Sequence, residues 1–425
     1  MDEKIILKVL SEQQEEVRAM QFDSWCSRKE EKLFEMNSNL AQVVIGVRRS
    51  GKSTLCHKVL LQHGVDYGYV NCDDDRLLKL QTEDLDTLLN CIYQLYGTEV
   101  KYLFLDEIQN VEGWHLFVNR LLRVGLKVFV TGSNARLLSS ELATHLTGRY
   151  NEIRLFPFSF SEYCIFKNVP VKGITTKADA KRKIALNEYL QNGGFPELFS
   201  LENKHAYVNS LIESVIIKDI KQRYRIRNVE SLRMMANHLI NNICQEINYD
   251  SIAENLNIGS QTTAKKYADY LRQAFLIQAL TKFSYKSRER MRSSKCYVVD
   301  TGLISNRDNA LLQENIGWRL ENTVFIELLR RTAHLYHDVY YYKPTSRSKE
   351  VDFVVCERGR VLQLIQVAYD IDTTKAYKRE TESLLQASVK LNCSNLILLT
   401  MSQSREEEFN GKTIKIINII EWLLG

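Results

Sequence analysis

Proline and glycine are scarce in this chain, with 4 and 18 among 425 residues. That scarcity excludes a long polyproline or glycine-rich linker and implies domains that pack directly on one another. No CxxC pair occurs among the nine cysteines, so scattered, reduced, buried thiols in a cytoplasmic protein are expected rather than a zinc site. No apolar run approaches the roughly 18 residues a membrane helix needs. The segment that opens Met1-Asp2-Glu3-Lys4 also lacks the apolar core of a signal peptide, so no membrane association is expected. There is no large excess of either charge. Lys and Arg number 57 against 52 Asp and Glu, a net charge of +5 that permits nucleic-acid contact without demanding it. Neither repeats nor low-complexity segments are present. With 44% hydrophobic and 26% charged residues, the composition is that of a folded chain whose length suits about two to four domains.

Against this background one segment stands out. Ala41-Gln42-Val43-Val44-Ile45 is a short β-branched run, expected as a buried parallel strand. It leads into Gly46-Val47-Arg48-Arg49-Ser50-Gly51-Lys52-Ser53-Thr54, after which Leu55, Val59 and Leu60 mark a helical face. Strand, GxxxxGKS loop and helix together make a phosphate cradle. Backbone amides from Gly46 through Arg49, Ser50, Gly51 and Thr54 surround the phosphates, Lys52 reaches their oxygens, and the Ser53 hydroxyl ligates Mg²⁺. Further along, Lys101 to Leu105 form a second apolar strand ending in Asp106 and Glu107. A carboxylate pair at a strand's C-terminal end suits Mg²⁺ binding by Asp106 and activation of water by Glu107. The pattern predicts a nucleotide-hydrolysing P-loop enzyme using ATP and Mg²⁺.

Three further segments are candidates beside that centre. Leu126 to Thr131 read as a strand whose tip carries Ser133 and Asn134, either sensing the γ-phosphate or forming a plain turn. Arg149 follows Leu146-Thr147-Gly148 on a loop, either an arginine finger acting in its own chain or a neighbouring one, or a surface arginine. Tyr67 to Asn71 form a short strand leading to Asp73, Asp74 and Asp75, read as an acidic turn that borders the cradle or faces solvent.

The ordered set GVRRSGKST, LFLDEIQN, TGSNA, LTGR and FPFSFSEY, with the later KCYVVDTGL, resembles a family of bacterial and archaeal AAA-type ATPases. In that family a winged-helix region and a domain of restriction-endonuclease type follow the ATPase. The resemblance covers nearly the whole chain. It implies an α/β fold with an extra strand between those bearing Lys52 and Asp106. It also suggests that Gly194-Phe195-Pro196 forms the turn that seats a helical lid. The expected organisation is an ATPase domain over residues 1–175, a helical lid region over 176–247, a winged helix over 248–305, and a restriction-endonuclease-like domain over 306–425.

The middle of the chain supports that division. Asp250 to Ser260 read as a short helix stopped by Gly259, and Gln261 to Ala274 as a second helix. The second would carry Thr262, Lys265, Lys266 and Arg272 outward, with Ala264, Tyr267 and Leu271 inward, a helix-turn-helix pattern. A hairpin follows, with its tip expected over residues 284–295, where Lys286, Arg288, Arg290, Arg292 and Lys295 oppose only Glu289. Such a basic wing suits phosphate contacts, and DNA is the expected partner; a protein partner and self-association remain open.

In the C-terminal region, a helix containing Glu321 precedes a hairpin containing Asp352 and Gln366. The nuclease resemblance implies that Glu321, Asp352 and an acid and lysine two residues apart would bind metal. Gln366 and Ala368 occupy the last two positions, and neither supplies that chemistry. Glu350, or a displaced Lys343, Lys349 or Lys375, are the candidate substitutes. The expectation is a degenerate, non-cleaving domain; the alternatives are an ATP-controlled nuclease and a nucleotide-gated protein scaffold.

Overall fold

The computed structural model describes residues 1–20, 25–133, 146, 148–286, 290, 293–308, 310, 315–335, 337–345, 348–409 and 411–425. The chain forms two compact units, one of Met1–Phe156 with Gln273–Phe275, the other of Pro157–Arg272 with Leu276–Gly425.

The first unit is built on five parallel strands, β1 (Ala41–Ile45), β2 (Tyr67–Asn71), β3 (Tyr102–Asp106), β4 (Lys127–Gly132) and β5 (Tyr150–Arg154). Their order is β2-β3-β4-β1-β5, so β4 lies between the strand that feeds the glycine loop and the strand that ends in Asp106. Buried on both faces, β1, β3 and β4 are almost uninterrupted apolar runs, as a covered parallel sheet requires. Helices α1 (Glu3–Ala19), α2 (Lys52–Gln62), α3 (Leu85–Tyr96) and α4 (Trp114–Arg123) belong to this unit. One core cluster joins Val44, Phe104 and Phe129 of the sheet to Leu55, Val59 and Leu60 of α2.

Helix α1 and strand β5 have no counterpart among the sequence expectations. The signal for α1 is Ile6, Val9 and Leu10 at helical spacing, all buried, with Asp2 capping its N-terminus. Strand β5 reads Tyr-Asn-Glu-Ile-Arg; only Ile153 is fully buried, so as an edge strand it lacks the apolar run that marks its neighbours.

In the second unit the helices Tyr249–Asn255 and Gln261–Gln273 are joined through Gly259 and followed by an antiparallel hairpin of β6 (Ile277–Thr281) and β7 (Ser294–Val298). A six-stranded mixed sheet follows: β8 (His337–Tyr342), β9 (Val351–Glu357), β10 (Arg360–Val367), β11 (Leu396–Thr400), β12 (Arg405–Phe409) and β13 (Lys412–Asn418), in the order β12-β13-β11-β10-β9-β8. The helix Thr374–Leu391 covers it with Leu384, Ala387 and Leu391. At one edge, β12 is acidic and largely exposed, so its residues carry no burial pattern.

Lys295 is displaced from the expected wing tip. It pairs with Leu280 inside the β6–β7 ladder, and its side chain is only 6% exposed. The periodicity of a basic stretch does not distinguish a loop from the first turns of a strand.

Candidate nucleotide site

Strand β1 delivers the chain to a loop that must pass close beneath its neighbour. A Cβ on Gly46 would sit 2.1 Å from the Leu155 carbonyl oxygen, so glycine is required for this approach. Gly51 adopts φ +94° at the start of α2, a left-handed turn that brings the helix N-terminus onto the loop. Arg49 is left-handed too, at φ +64°, and exposed. Lys52 is buried and curls back to donate to the Val47 carbonyl at 3.2 Å, with Glu107 Oε1 3.6 Å from its ammonium. Ser50 is buried within the loop, while Thr54 is exposed on the first turn of α2.

The ends of β3 and β4 meet this loop. Ser53 Oγ donates to Asp106 Oδ1 at 2.9 Å, Tyr69 OH donates to Oδ2 at 3.2 Å, and Thr131 Oγ1 also donates to Oδ1. Burial, and secondarily the charge of Glu107, raise the Asp106 carboxyl from 3.8 to about 6. Glu107 differs. Burial opposes its ionisation, but Lys52, Arg48, Gln109 and Ser133 outweigh it and hold this carboxyl below its usual value. Its backbone sits at φ +49°, uncommon for a non-glycine residue, and its amide donates to Thr131 Oγ1 at 3.0 Å. An ionised Glu107 beside a cationic Lys52 is an acceptor ready for a water proton. Asp106 and Ser53 present two adjacent oxygens of the kind Mg²⁺ prefers.

The structure therefore brings together Gly46, Ser50, Gly51, Lys52, Ser53, Asp106, Glu107 and Ser133. Asn134 lies outside the described residues. Arg149 is not brought to this loop within the chain. The Ala41 amide donates to the Arg149 carbonyl, and Ala41 pairs with Tyr150, so Arg149 marks the beginning of β1 and β5 whereas the loop follows their opposite ends. Five residues of strand separate those ends, about 16 Å.

Several supporting residues carry no motif. Thr131 and Tyr69 reach Asp106 from neighbouring strands, a convergence set by sheet order rather than spacing. Buried Arg28 donates to the Phe156 carbonyl at 2.7 Å and the Ser50 carbonyl at 3.4 Å, holding the loop from beneath. Asp73 approaches Arg48 at 3.3 Å, and Asp74 caps the turn Asp75–Leu77 and pairs with Arg76.

In the second unit, Thr262, Lys265, Lys266 and Arg272 are exposed on their helix, whose Ala264, Tyr267 and Leu271 are buried. Arg288 and Arg292 lie outside the described residues. Arg290 is half-buried and bonded through its side chain to Tyr340, so it is partly committed to the sheet. The Gly194 amide donates to Asp300 Oδ2 at 2.7 Å, and a Cβ on Gly194 would lie 2.1 Å from the Phe158 carbonyl oxygen.

Glu321, Glu350, Asp352 and Gln366 line a cavity of about 510 Å³. Gln366 donates to Glu380 Oε2 at 2.8 Å and accepts from the Asp352 amide at 3.3 Å, and Asp352 Oδ2 accepts from the Val367 amide at 2.8 Å. Burial and the neighbouring Glu321 push the Asp352 carboxyl well above its ordinary range. Burial opposes the charge on Lys295, but Glu321, Asp352 and Glu350 outweigh it and keep the ammonium protonated. Among the described residues, no three His, Cys, Asp or Glu side chains form a group disposed to hold a metal. No helix among them is long and apolar enough to cross a membrane.

Residues 38–164 match the AAA domain, and residues 183–313 and 317–422 match two domains of unknown function, DUF8612 and DUF4143. An uncharacterized protein of Methanocaldococcus jannaschii is 33% identical over 405 residues, covering 91% of this chain and 88% of its own. Another, of Haemophilus influenzae, is 32% identical over 409 residues, covering 91% and 95%. Among solved structures, a Walker-type ATPase of Pyrococcus abyssi aligns with a TM-score of 0.44 at 14% identity, covering 66% of this chain and 95% of that one.

Proposed function

Because this chain belongs to the AAA-domain family represented by those archaeal and bacterial relatives, we propose that it is an ATP-driven switch or remodeller that works on DNA. Its first unit is an AAA-type P-loop domain, and ATP binding and hydrolysis are the activity of that class. The observation that carries the assignment to particular residues is the meeting of Lys52, Ser53, Asp106 and Glu107 at one end of the sheet.

In this reading the amides from Gly46 to Thr54 cradle the phosphates, and Lys52 exchanges Val47 and Glu107 for phosphate oxygens. Ser53 and Asp106 would hold Mg²⁺, which neutralises charge on the phosphates when bound. Glu107 takes the proton of the attacking water, and Ser133 orients Glu107 through the bond they share. Arg149 precedes β5 at the end of the strands opposite the loop, so in this reading it serves the nucleotide of a second copy.

The DNA reading draws on the exposed Lys265 and Lys266 of the second helix in a helix-turn-helix arrangement. Residues 248–305 are read as a winged helix, and 306–425 as a restriction-endonuclease-like domain that does not cleave. Ala368 is 8% exposed and Gln366 is neutral and bonded on both sides, so the expected acid and lysine have no counterpart at those positions.

Steady-state ATP hydrolysis by the wild type, Lys52→Ala and Glu107→Gln, with and without duplex DNA, tests the proposal. Turnover lost in both variants and stimulated by DNA is the expected result. Turnover indifferent to DNA would overturn the DNA assignment, and retention of full turnover in Glu107→Gln would overturn the role of Glu107.

A further inference from the structure

We propose that the Lys295 ammonium is a resident counter-ion that takes the place of a divalent cation in the C-terminal unit, fastening the β6–β7 hairpin to the six-stranded sheet. The inference rests on the nuclease-like reading of that unit, which implies a metal among Glu321, Asp352 and a third acid. The residues present do not fit a metal.

Glu321 comes from the helix Ile316–Thr332, Glu350 from the residue preceding β9, and Asp352 from β9 itself. Lys295 comes from none of these elements. It enters from β7, placing its Nζ 3.4 Å from Glu321 Oε1 and in contact with Glu350 Oε1. Asp352 contributes to the field around that ammonium, so three carboxyls face it.

Its remaining environment is also closed. Nζ lies 5.6 Å from the centre of the Tyr341 ring, within reach of a cation–π attraction. Tyr297, two residues along β7, donates to the same Glu321 oxygen at 2.7 Å. Tyr341 donates to Glu246 Oε1 at 3.0 Å, and Glu246 bridges to Lys295 along the backbone. An ammonium so enclosed faces protein partners and is not presented to a substrate in the cavity.

The charge balance gives the physical reason. Three carboxyls of low exposure cannot all ionise without a nearby cation, and a divalent ion or a buried ammonium meets the same requirement. The ammonium has the advantage of being covalently attached, so no ion need be captured. Its cost is geometric. The carboxyls close on Nζ, whose three donors point outward, instead of converging to ligand a metal. Lys343 neutralises the outer oxygen of Glu350 at 3.4 Å, which leaves less excess charge to attract an ion from solution.

Mn²⁺ binding to the nucleotide-free full-length chain tests this, with every protein carrying Asp106→Asn to silence the phosphate-loop site. With Lys295 present, no Mn²⁺ that depends on Asp352 should bind, and Tm should not respond to Mn²⁺ or chelator. Lys295→Met should lower Tm by about 5 °C or more. It should also gain Mn²⁺ affinity by at least about tenfold, and a further Asp352→Asn should abolish the gain.

Mn²⁺ bound by the Lys295 chain and lost on Asp352→Asn would overturn the proposal. So would a Lys295→Met chain that gains no Mn²⁺ affinity. Should Lys295→Met fail to fold, Glu350→Gln serves: it removes one partner while keeping the ammonium, and acquisition of Mn²⁺ by that variant would equally sink the idea, whereas a modest loss of Tm without Mn²⁺ would support it. Cleavage of duplex DNA by the wild type, abolished by Asp352→Asn, would instead overturn the non-cleaving reading on which the inference rests.

Discussion

Ser53 Oγ lies 2.9 Å from Asp106 Oδ1, joining the first turn of α2 to the tip of β3. The same carboxyl accepts from Thr131 and Tyr69, so three hydroxyls serve one buried acid. These donors favour the ionised carboxylate, but burial and the neighbouring charge of Glu107 outweigh them and raise its titration toward neutrality.

Asp106 titrates at about 6 in the folded chain against an ordinary 3.8. Between those values the folded state holds the proton more tightly than the unfolded state, so this residue's contribution to stability falls as pH rises from about 4 to about 6 and is level above. Asp106→Asn removes the penalty. In urea unfolding without nucleotide, the variant should exceed the wild type by up to about 3 kcal/mol at pH 8, and the difference should shrink toward pH 4. A difference that does not change with pH would contradict the assignment.

Gly46 and Gly51 should respond differently to alanine. A Cβ on Gly46 meets the Leu155 carbonyl at 2.1 Å, and backbone cannot yield easily. Around Gly51 the nearest atom is Arg28 Nη1 at 4.0 Å, so only the left-handed conformation is penalised, by about 1–2 kcal/mol. Gly46→Ala should therefore cost more stability in denaturant unfolding, and should weaken binding of a fluorescent ATP analogue more strongly.

Thr131→Val deletes a donor to Asp106 and the acceptor of the Glu107 amide while keeping the side-chain volume. We expect a loss of about 1–3 kcal/mol in unfolding free energy. In kinetics kcat should fall while ATP affinity stays within a few-fold, because Thr131 positions the two acids and touches no part of the loop. An unchanged kcat would remove Thr131 from the machinery.

Arg149 provides a mixing test. Lys52→Ala retains Arg149, and Arg149→Ala retains the phosphate loop. Since Arg149 precedes β5 at the end of the strands opposite the loop, a mixture of the two inactive or weakened variants should hydrolyse ATP faster than their sum if Arg149 serves a neighbouring copy. Additive rates at every concentration would leave it a surface arginine.

Lys265 and Lys266 are exposed, and Lys265 Nζ lies 5.8 Å from the Tyr249 ring centre. Replacing both with alanine should leave stability nearly unchanged. If both meet phosphates, the slope of log affinity for duplex DNA against log salt should fall by about 2, with basal ATP turnover unaffected. An unaltered slope would take this helix off the DNA.

Much of the nucleotide site is legible in the amino-acid sequence, because its parts are local. Loop, lysine and serine occupy one continuous segment, and the acid pair ends an apolar strand whose burial on both faces leaves a plain pattern. The exposed and buried faces of Gln261–Gln273 are legible for the same reason, since a helix repeats its environment every 3.6 residues.

The amino-acid pattern alone reaches the contiguous segments: a phosphate loop, an acid pair ending a strand, and two helices joined at a glycine. Only the tertiary structure decided which distant residues complete them. Strand order brought Thr131 and Tyr69 to Asp106, parallel register carried Arg149 away from Lys52, and the hairpin delivered Lys295 to Glu321 and Glu350. The physical reason is common to all three. Spacing along the chain encodes the period of a helix or strand, whereas pairing of one strand with another is settled by burial and hydrogen bonding across the whole sheet.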